Sequence, residues 1–457
     1  MLSITLATLA FLTLSAAAAG ATHSESENNV IIISIDGFYH EYLWDENIPL
    51  PTIRELAEEG AYAEAMIPAN PSNTWPNHTS IVTGTYPDRH GLVHNGKLIR
   101  GEPGEPLYVD NERDKDEMIH IPTLYDVAHE AGLTTGDSGW PANQRAGTID
   151  YTFPGAVDNI KLMTPELRQD VIDMGLIEEG MTSLWGQEDY GQVRRDHIWT
   201  ETALQILRAY IPDLLLFHLL NADSAQHAFG RDTVPAHLAM AVSDQNVRNL
   251  INTLKEEGIR DETNIFIVSD HGFVNVDYSI QPNRRLRELG LLQVDDDGQI
   301  DYADVQVVPA GGTAMVYSTH PENAEENLDQ AYEHLKELEG IDQVITPENY
   351  DEYGYPDPRE NDQMGDFVLA AEAGYSFGGQ ADEGDYVVPV DGPAGTHGYL
   401  NELPEMYNVF IANGPDIEKG VELDKVDVRS VAPTAAEILG LELEQADGEV
   451  LYEILRD

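Results

Sequence analysis

The chain has 457 residues, of which 82 are Asp or Glu, 25 are Lys or Arg and none is Cys, so its formal net charge is −57. Such an acidic balance excludes nucleic-acid binding through a broad basic face. The absence of cysteine excludes disulfides and thiolate metal sites, so carboxylates and imidazoles must hold any bound metal. The length allows one large domain with an insertion, or two to three smaller domains.

The acidic residues are scattered among apolar, periodic segments rather than concentrated in one tail, which argues against disorder. We interpret them as the proteome-wide acidity of a halophilic prokaryote, where high ionic strength screens the self-repulsion. A cation-binding surface is the alternative interpretation.

The first 21 residues are apolar and end in the small residues Ala19-Gly20-Ala21, which predicts a secretory signal peptide over 1–21 and export to the periplasm or the exterior. No Lys or Arg precedes Arg54, so the usual basic start is missing. The alternative is an anchor helix that stays in place. No later segment approaches the length of a membrane span, so none is expected in the mature chain.

A buried parallel strand is predicted over 29–35, ending at Asp36-Gly37, and a helix over 52–59 is ended by Gly60. The stretch 72–84 reads Ser-Asn-Thr-Trp-Pro-Asn-His-Thr-Ser-Ile-Val-Thr-Gly. Pro76 suits a first helical turn, which puts Thr74 at or just before the N-cap, where unpaired N–H groups favour an anion. On this stretch alone, Thr74 is either a simple cap or a nucleophile.

The core pattern continues with a helix over 122–131, strands over 133–136 and 212–220, a long helix over 234–257 and a strand over 264–269. Strands that alternate with helices predict an α/β fold with a doubly wound, mostly parallel sheet and helices on both faces. Residues 275–390 lose this rhythm and predict an inserted cap. The core is therefore expected over 28–274 and 391–457, where a strand over 406–412 and a helix over 432–439 complete it.

Three predicted strands are followed by an acid: Asp36, Asp223 and Asp270. Ligand sites in open α/β sheets lie beyond the carboxyl ends of the strands, so these side chains should converge, although any single Asp there is usually a turn residue. The histidines that accompany them are His227, His271 and His397. Asp and His ligands without thiolate suit zinc, with manganese or iron as alternatives. Together with Thr74 they would hold two ions about 4 Å apart, the spacing used for phosphoryl displacement.

Several motifs together carry a family resemblance. They are Asp36-Gly37, Thr74-Trp75-Pro76-Asn77-His78, Thr83-Gly84, Tyr86-Pro87, His90-Gly91, Asn95, Asp223-Ser224-Ala225-Gln226-His227, Ser269-Asp270-His271-Gly272-Phe273, Gly395-Thr396-His397-Gly398-Tyr399, Val431-Ala432-Pro433-Thr434, Leu439-Gly440 and Asp447-Gly448. Through them the chain resembles the alkaline phosphatase superfamily, and most of all its type I phosphodiesterase/nucleotide pyrophosphatase branch. The resemblance spans nearly the whole chain, apart from the cap, in the same order.

The resemblance implies a two-zinc site with a phosphothreonine intermediate on Thr74. One zinc would be held by Asp36, Thr74, Asp270 and His271, and the other by Asp223, His227 and His397. Asn95 and the backbone N–H of Trp75 would donate to a non-bridging phosphoryl oxygen.

Substrate-binding roles are implied for Trp75, Asn95, Trp140 and Arg145. Trp75 replaces the family's usual Phe and either stacks on a leaving-group ring or packs at the sheet end. Trp140-Pro141 resembles the Trp-Pro motif of the diesterase branch. Only Arg145 corresponds to the Lys-x-Arg clamp of related monoesterases, so monoesterase activity stays open. We expect structural hydrogen bonds at three further histidines, namely His78, His90 and His94.

The leading hypothesis is an exported enzyme that hydrolyses phosphodiester or pyrophosphate bonds of a small-molecule phosphoester or nucleotide. Its rival within the class is a phosphomonoesterase or phosphonate hydrolase that uses the same site. A catalytically inactive, acidic cation-binding surface protein is the alternative of another class, although a complete metal constellation usually indicates chemistry. The sequence indicates neither the leaving group nor the oligomeric state.

Overall fold

The computed structural model describes residues 28–187 and 191–456. Its centre is an eight-stranded sheet, and the strands lie in the order Val421–Asp427, Ala61–Ile67, Phe410–Asn413, Thr263–Val268, Asn29–Ile35, Leu214–Leu219, Thr135–Ser138, Tyr151–Phe153. Every strand runs in the same direction except Phe410–Asn413, which is antiparallel to both of its neighbours. The predicted fold class, a mostly parallel α/β sheet, is confirmed.

Helices cover both faces of this sheet because its central strand is apolar on both sides. In Asn29–Ile35, the side chains of Ile31, Ile33 and Ile35 pack on one face, and those of Val30 and Ile32 pack on the other. The helices on the first face include Pro51–Glu58, Gln192–Ala209 and Val234–Glu257. Those on the second face include Thr74–Thr83, Leu124–Glu130 and Val431–Ile438.

The remaining described elements lie outside the central sheet and the six helices named above. The other α-helices are Pro87–His90, Asn159–Leu162, Pro165–Asp173, Asn221–Phe229, Pro282–Glu288, Ala324–Leu335 and Tyr350–Tyr353. The 3-10 helices are His40–Trp44, Lys115–Glu117, Arg260–Glu262, Pro347–Asn349, Pro404–Met406, Val428–Ser430 and Tyr452–Ile454. The strands outside the central sheet are Lys97–Ile99, Tyr108–Asp110, Val274–Asn275, Tyr278–Ile280, Leu292–Val294, Ile300–Ala303, Val305–Ala310, Thr313–Ser318, Ile341–Ile345, Phe367–Ala371, Tyr375–Phe377, Val387–Pro389 and Gly395–Thr396.

Residues 275–390 contain a second body of structure. Its largest sheet has four antiparallel strands, in the order Val305–Ala310, Thr313–Ser318, Phe367–Ala371, Ile341–Ile345. Apolar side chains of these strands pack against Ala331 and Leu335 of the helix Ala324–Leu335, in a hydrophobic cluster that also includes Tyr399 and Met406 of the neighbouring core. The loss of helical and strand rhythm in the sequence therefore reflects short antiparallel strands rather than irregular chain.

This four-stranded sheet contacts the loop that carries His397. The N–H of Gly312 donates to the carbonyl oxygen of His397 over 2.8 Å. A side chain on Gly311 would collide with that same carbonyl, and the positive φ of Gly311, +84°, also favours glycine. The hairpin turn between Val305–Ala310 and Thr313–Ser318 therefore contacts the loop that carries His397, a predicted metal ligand.

The predicted signal peptide over 1–21 lies outside the described residues. In the ranges 28–187 and 191–456, no helix is both long enough and apolar enough to cross a membrane.

Candidate active site

Three acids meet at one edge of the central sheet because of the sheet's strand order. The strand Asn29–Ile35 lies between Leu214–Leu219 and Thr263–Val268 and is parallel to both. Asp36 and Asp270 follow two of these strands, and Asp223 lies in the first turn of the helix Asn221–Phe229 that follows the third. Parallel neighbours end at the same edge of a sheet, so the three carboxylates converge there.

The first group of candidate ligands is Asp36, Asp270 and His271, whose nearest ligand atoms all lie within 4.8 Å of one another. The Nε2 atom of His271 lies 3.3 Å from Oδ1 of Asp36 and 3.2 Å from Oδ2 of Asp270. All three side chains are fully buried. The other oxygen of Asp270, Oδ1, accepts from the N–H of Gly37 and of His271, which fixes the carboxylate and leaves Oδ2 for a ligand.

The second group is Asp223, His271 and His397, with ligand atoms again within 4.8 Å. His227 belongs beside it, because its Nε2 lies 3.2 Å from Oδ1 of Asp223. These two residues are one helical turn apart on Asn221–Phe229, as the four-residue spacing predicted. The two groups share His271, so the structure brings together all six predicted Asp and His ligands.

The ring orientation of the three histidines suits metal binding. In each of them Nδ1 lies close to a backbone carbonyl oxygen. The distances are 2.9 Å from His227 to Gly395, 3.0 Å from His271 to Gly272 and 3.1 Å from His397 to Ser72. A ring whose Nδ1–H donates to a carbonyl keeps its Nε2 lone pair free, which is the arrangement that carbonyl partners impose on zinc-bound histidines.

Several buried carboxylate oxygens at the site have no hydrogen-bond donor in the described part of the chain, and this bears on whether a cation fits there. Both carboxylate oxygens of Asp36, Oδ1 of Asp223 and Oδ2 of Asp270 are buried and accept no hydrogen bond among the described residues. Burial, with the charges of Asp270 and Asp223 nearby, raises the pKa of Asp36 well above its usual value. Buried carboxylates are normally paired or metal-bound, so the donor set fits divalent cations.

The electrostatics of the second group differ. Burial alone would raise the pKa of Asp223, but the neighbouring His227 and His397 lower it below its usual value. Burial lowers the pKa of His271 to about 4 and that of His397 well below 6.5. Both imidazoles are therefore neutral near pH 7, the form in which histidine binds a metal.

Thr74 is the first residue of the helix Thr74–Thr83, and Asn73 precedes it as the N-cap. Its Oγ1 lies 3.5 Å from Nε2 of His271, the residue shared by both ligand groups. The structure therefore places the predicted nucleophile beside the candidate metal ligands, one position further into the helix than an N-cap. Because the side chain of a first-turn residue is not needed to cap the helix, the hydroxyl is available for other interactions.

Asn95 contacts the same helix start. Its Oδ1 accepts from the backbone N–H of Trp75 over 2.9 Å, and its side chain is exposed. This N–H, which the family resemblance assigns to a phosphoryl oxygen, is here occupied by Asn95. The indole of Trp75 is half-buried and packs against Leu92, Met118, Ile119 and Ala142.

The two remaining predicted substrate residues lie in different environments. Trp140 is only 1 % exposed and packs edge-on against His78 with 4.8 Å between the ring centroids, so its ring is buried against the helix Thr74–Thr83 rather than facing solvent. Arg145 is exposed and paired with Asp114. The histidines expected to be structural do form hydrogen bonds: His78 with the Thr74 carbonyl, His90 with Ser80 and His94 with Tyr317.

The sequence reasoning missed His218. Nδ1 of His218 lies 3.1 Å from Nε2 of His78, and Nδ1 of His78 lies 2.8 Å from the carbonyl oxygen of Thr74. On its other side, Nε2 of His218 lies 3.5 Å from Oδ2 of Asp36. The signal was an imidazole in an otherwise apolar buried strand, Leu214–Leu219.

Comparison with known proteins matches residues 30–400 to the family model for type I phosphodiesterase / nucleotide pyrophosphatase. The chain belongs to this family. The recognised branch and the assignment to hydrolases of phosphoester bonds are thereby confirmed.

Relatives align over almost the whole chain. Ectonucleotide pyrophosphatase/phosphodiesterase family member 7 of Homo sapiens is 25% identical over 460 residues, which cover 97% of this chain and 87% of the human protein. The bis(5'-adenosyl)-triphosphatase enpp4 of Xenopus laevis is 24% identical over 426 residues, which cover 92% of this chain and 79% of the frog protein. The similarity therefore includes residues 275–390 as well as the core.

The fold is also that of solved family structures. The murine ectonucleotide pyrophosphatase / phosphodiesterase 5, solved as an inactive variant in complex with AMP, superposes with a TM-score of 0.69. It is 19% identical, and the match covers 94% of this chain and all of the murine chain. At this identity the likeness establishes the shared fold.

Proposed function

We propose that the protein hydrolyses phosphodiester or pyrophosphate bonds of nucleotide-like substrates at a two-zinc site, with Thr74 as the covalent nucleophile. The observation that carries this proposal is the position of the Thr74 hydroxyl, 3.5 Å from the imidazole that both ligand groups share. A hydroxyl needs activation before it attacks phosphorus, and a neighbouring cation supplies that activation. A residue that only capped the helix would have no reason to approach this histidine.

We assign the ligands to the two ions as the family resemblance implies. Asp36, Asp270 and His271, with Thr74, would hold one ion. Asp223, His227 and His397 would hold the other. Zinc bound at these positions would lower the pKa of the attacking hydroxyl and neutralise charge on the phosphoryl oxygens.

In the reaction, Oγ1 of Thr74 forms a bond to phosphorus while the bond to the leaving-group oxygen breaks in line. The leaving group departs with that electron pair, and the proton lost by Thr74 ends on the leaving group by way of water. Water then attacks the phosphothreonine and restores the hydroxyl. Because its Oδ1 is held by the Trp75 N–H, the amide of Asn95 keeps its N–H2 group to donate to a phosphoryl oxygen.

Nucleotide-like substrates are favoured by the comparisons and by the site. The frog relative is named as a bis(5'-adenosyl)-triphosphatase, and the murine structure was solved with AMP. The indole of Trp75 is half-exposed directly beside Thr74, where it can stack on a base or another ring. We also propose export, with residues 1–21 as the signal, since several relatives, the human one among them, are named as ectonucleotide pyrophosphatases/phosphodiesterases.

The test compares Thr74→Ala and Thr74→Ser. The alanine variant should lose nearly all turnover of a nucleoside pyrophosphate and a diester, and the serine variant should keep measurable activity because a hydroxyl remains. Thr79→Ala is the matched control, since Thr79 lies on the same helix and bonds to the carbonyl of Trp75. Near-normal activity of Thr74→Ala would contradict the proposal, and a tenfold or greater preference for monoesters, on the order of 1.4 kcal/mol, would favour the monoesterase alternative.

A further inference from the structure

A polar cavity lies far from the candidate metal ligands. Its volume is about 640 Å³, and it lies between the helices Pro51–Glu58 and Val234–Glu257 and the chain around Asn413. Asn413 ends the reversed strand and pairs with Ile265, near the start of Thr263–Val268. The cavity therefore opens at the edge where the parallel strands begin, opposite the edge where the three site acids converge.

The wall of the cavity carries more positive than negative side chains, whereas the whole chain is strongly negative. Three acids line it, Glu55, Glu59 and Asp261. Five cations line it, and they are Arg248, Lys255, Arg260, Lys419 and Arg456. In the full sequence acids outnumber cations 82 to 25, so a cavity where cations prevail is a local inversion of the charge balance. A concave wall of one prevailing sign focuses the field and concentrates counter-ions.

Two of the arginines are held in place by the fold. Arg248 donates from Nε to the hydroxyl of Thr52 over 2.9 Å and from Nη2 to buried Asp244 over 3.0 Å. Arg260 donates from Nη1 to the carbonyl of Thr263 over 3.0 Å and also donates to the side chain of Asn413. A guanidinium already fixed loses little conformational entropy when its remaining N–H groups bind an anion.

The other cations are less engaged. Lys419 is 4.0 Å from its nearest acid, Glu59. Among the described residues, neither Lys255 nor Arg456 takes part in an ion pair within 4.0 Å, although both line a cavity in a strongly acidic chain. Their charges are therefore available to a ligand.

From these observations we infer that this cavity binds a tetrahedral oxyanion, either free phosphate or the phosphate end of a small molecule. Arginine forks and lysine ammonium groups are the side chains that proteins use for phosphate oxygens. None of the described lining residues is aromatic, so the wall offers no stacking surface for a base and recognises the charged end alone. This inference does not rest on the proposed reaction.

Lysine modification can report the binding, because the chain has only seven lysines and two of them line the cavity. The full-length protein is treated with an amine-acylating reagent, and the rate at each lysine is followed by mass spectrometry while inorganic phosphate is titrated at constant ionic strength. Phosphate should slow acylation of Lys255 and Lys419 by about tenfold at about ten times Kd. Lys161 and Lys336, which are outside the cavity, should be unaffected.

Two variants complete the design. Arg456→Glu should abolish the protection of Lys255, while the control Arg359→Glu, an exposed arginine elsewhere, should leave it intact. Circular dichroism verifies that both remain folded. Stronger protection by AMP than by phosphate would assign a phosphomonoester end, and equal protection would assign free phosphate. No protection, equal protection by chloride, or protection that survives Arg456→Glu would overturn the inference.

Discussion

The imidazole of His271 lies parallel to that of His397, with 3.6 Å between ring centroids and 10° between ring planes. His271 is also the residue that the two ligand groups share. The two candidate metal positions are therefore not independent, because a change at this ring alters both.

Metal content should show this dependence directly. His271→Ala should lower the content of both ions, since it removes a proposed ligand of one ion and the ring that stacks on His397, a proposed ligand of the other. His227→Ala should lower the content of one ion, because its Nε2 lies beside Asp223 of the second group. Metal analysis of the purified variants against wild type measures this. Loss of a single ion from both variants would contradict the shared role.

Removing metal should also destabilise the fold. Without cations, the buried carboxylates of Asp36, Asp223 and Asp270 have no partner for four of their oxygens. Dialysis against a chelator should abolish activity and lower the Tm, and Zn²⁺ should restore both better than Mg²⁺, since imidazole ligands suit zinc. If the metal-free protein kept its full activity, the proposal that two metal ions take part in catalysis would be wrong.

The covalent intermediate makes a stereochemical prediction. Attack by Thr74 followed by attack of water gives two in-line displacements, so the configuration at phosphorus should be retained. A chiral thio-substituted diester hydrolysed in isotopically labelled water reports the outcome. Inversion would indicate direct attack by water and would leave Thr74 without a covalent role.

His218 should act on turnover by positioning Thr74 through His78. His218→Leu leaves the buried Nε2 of His78 without its donor, which should cost about 1–3 kcal/mol of stability. Because His78 bonds the Thr74 carbonyl, kcat should fall while KM changes little. The control is His90→Leu, which removes a buried imidazole bonded to Ser80 further along the helix. Equal effects of both variants on kcat would reduce His218 to a structural residue.

Buried His94 should make stability depend on pH. Burial lowers its pKa from 6.5 to about 4, and its Nε2 lies 2.6 Å from the hydroxyl of Tyr317. Between pH 6.5 and about 4, the unfolded chain binds a proton at His94 that the folded chain does not. The contribution of His94 to the free energy of unfolding is therefore complete above pH 6.5, and it falls by roughly 3 kcal/mol as the pH is lowered to about 4. The free energy of unfolding, measured with denaturant, should decline less with falling pH in His94→Gln than in the wild type. Parallel curves for the two proteins would contradict the assignment.

Salt should stabilise the protein if its acidity is an adaptation to high ionic strength. The chain carries −57, and the screening length shrinks from about 10 Å at 0.1 M to about 3 Å at 1 M salt. The Tm should therefore rise with NaCl up to molar concentrations. A Tm that stays flat over this range would contradict the halophilic interpretation.

Periodicity predicted the interior of the fold well. The strand Asn29–Ile35 and the helix Val234–Glu257 have the predicted bounds, because each carries an unbroken apolar pattern between clear end signals. The strand predicted over 406–412 is observed as Phe410–Asn413 and runs antiparallel. The direction of a short apolar strand is set by its partners rather than by its own pattern, so the sequence did not reveal the reversal.

Motifs predicted residue positions at the site but not every contact. Asp223 and His227 were identifiable because their spacing is one helical turn. The bond between Asn95 and the Trp75 N–H joins residues from two elements, and no local pattern encodes it. The strands Val421–Asp427, at one edge of the central sheet, and Ala61–Ile67, beside it, were missed because their exposed residues break the apolar run.

The glycine turn behind His397 limits how the protein could be re-engineered. A cassette that replaced residues 275–390 with the corresponding segment of a relative would change the surface that rests on the His397 carbonyl. A donor segment with any side chain at the Gly311 position would push that loop and shift the imidazole. This segment therefore cannot be exchanged without displacing His397 unless the graft brings a matching glycine turn.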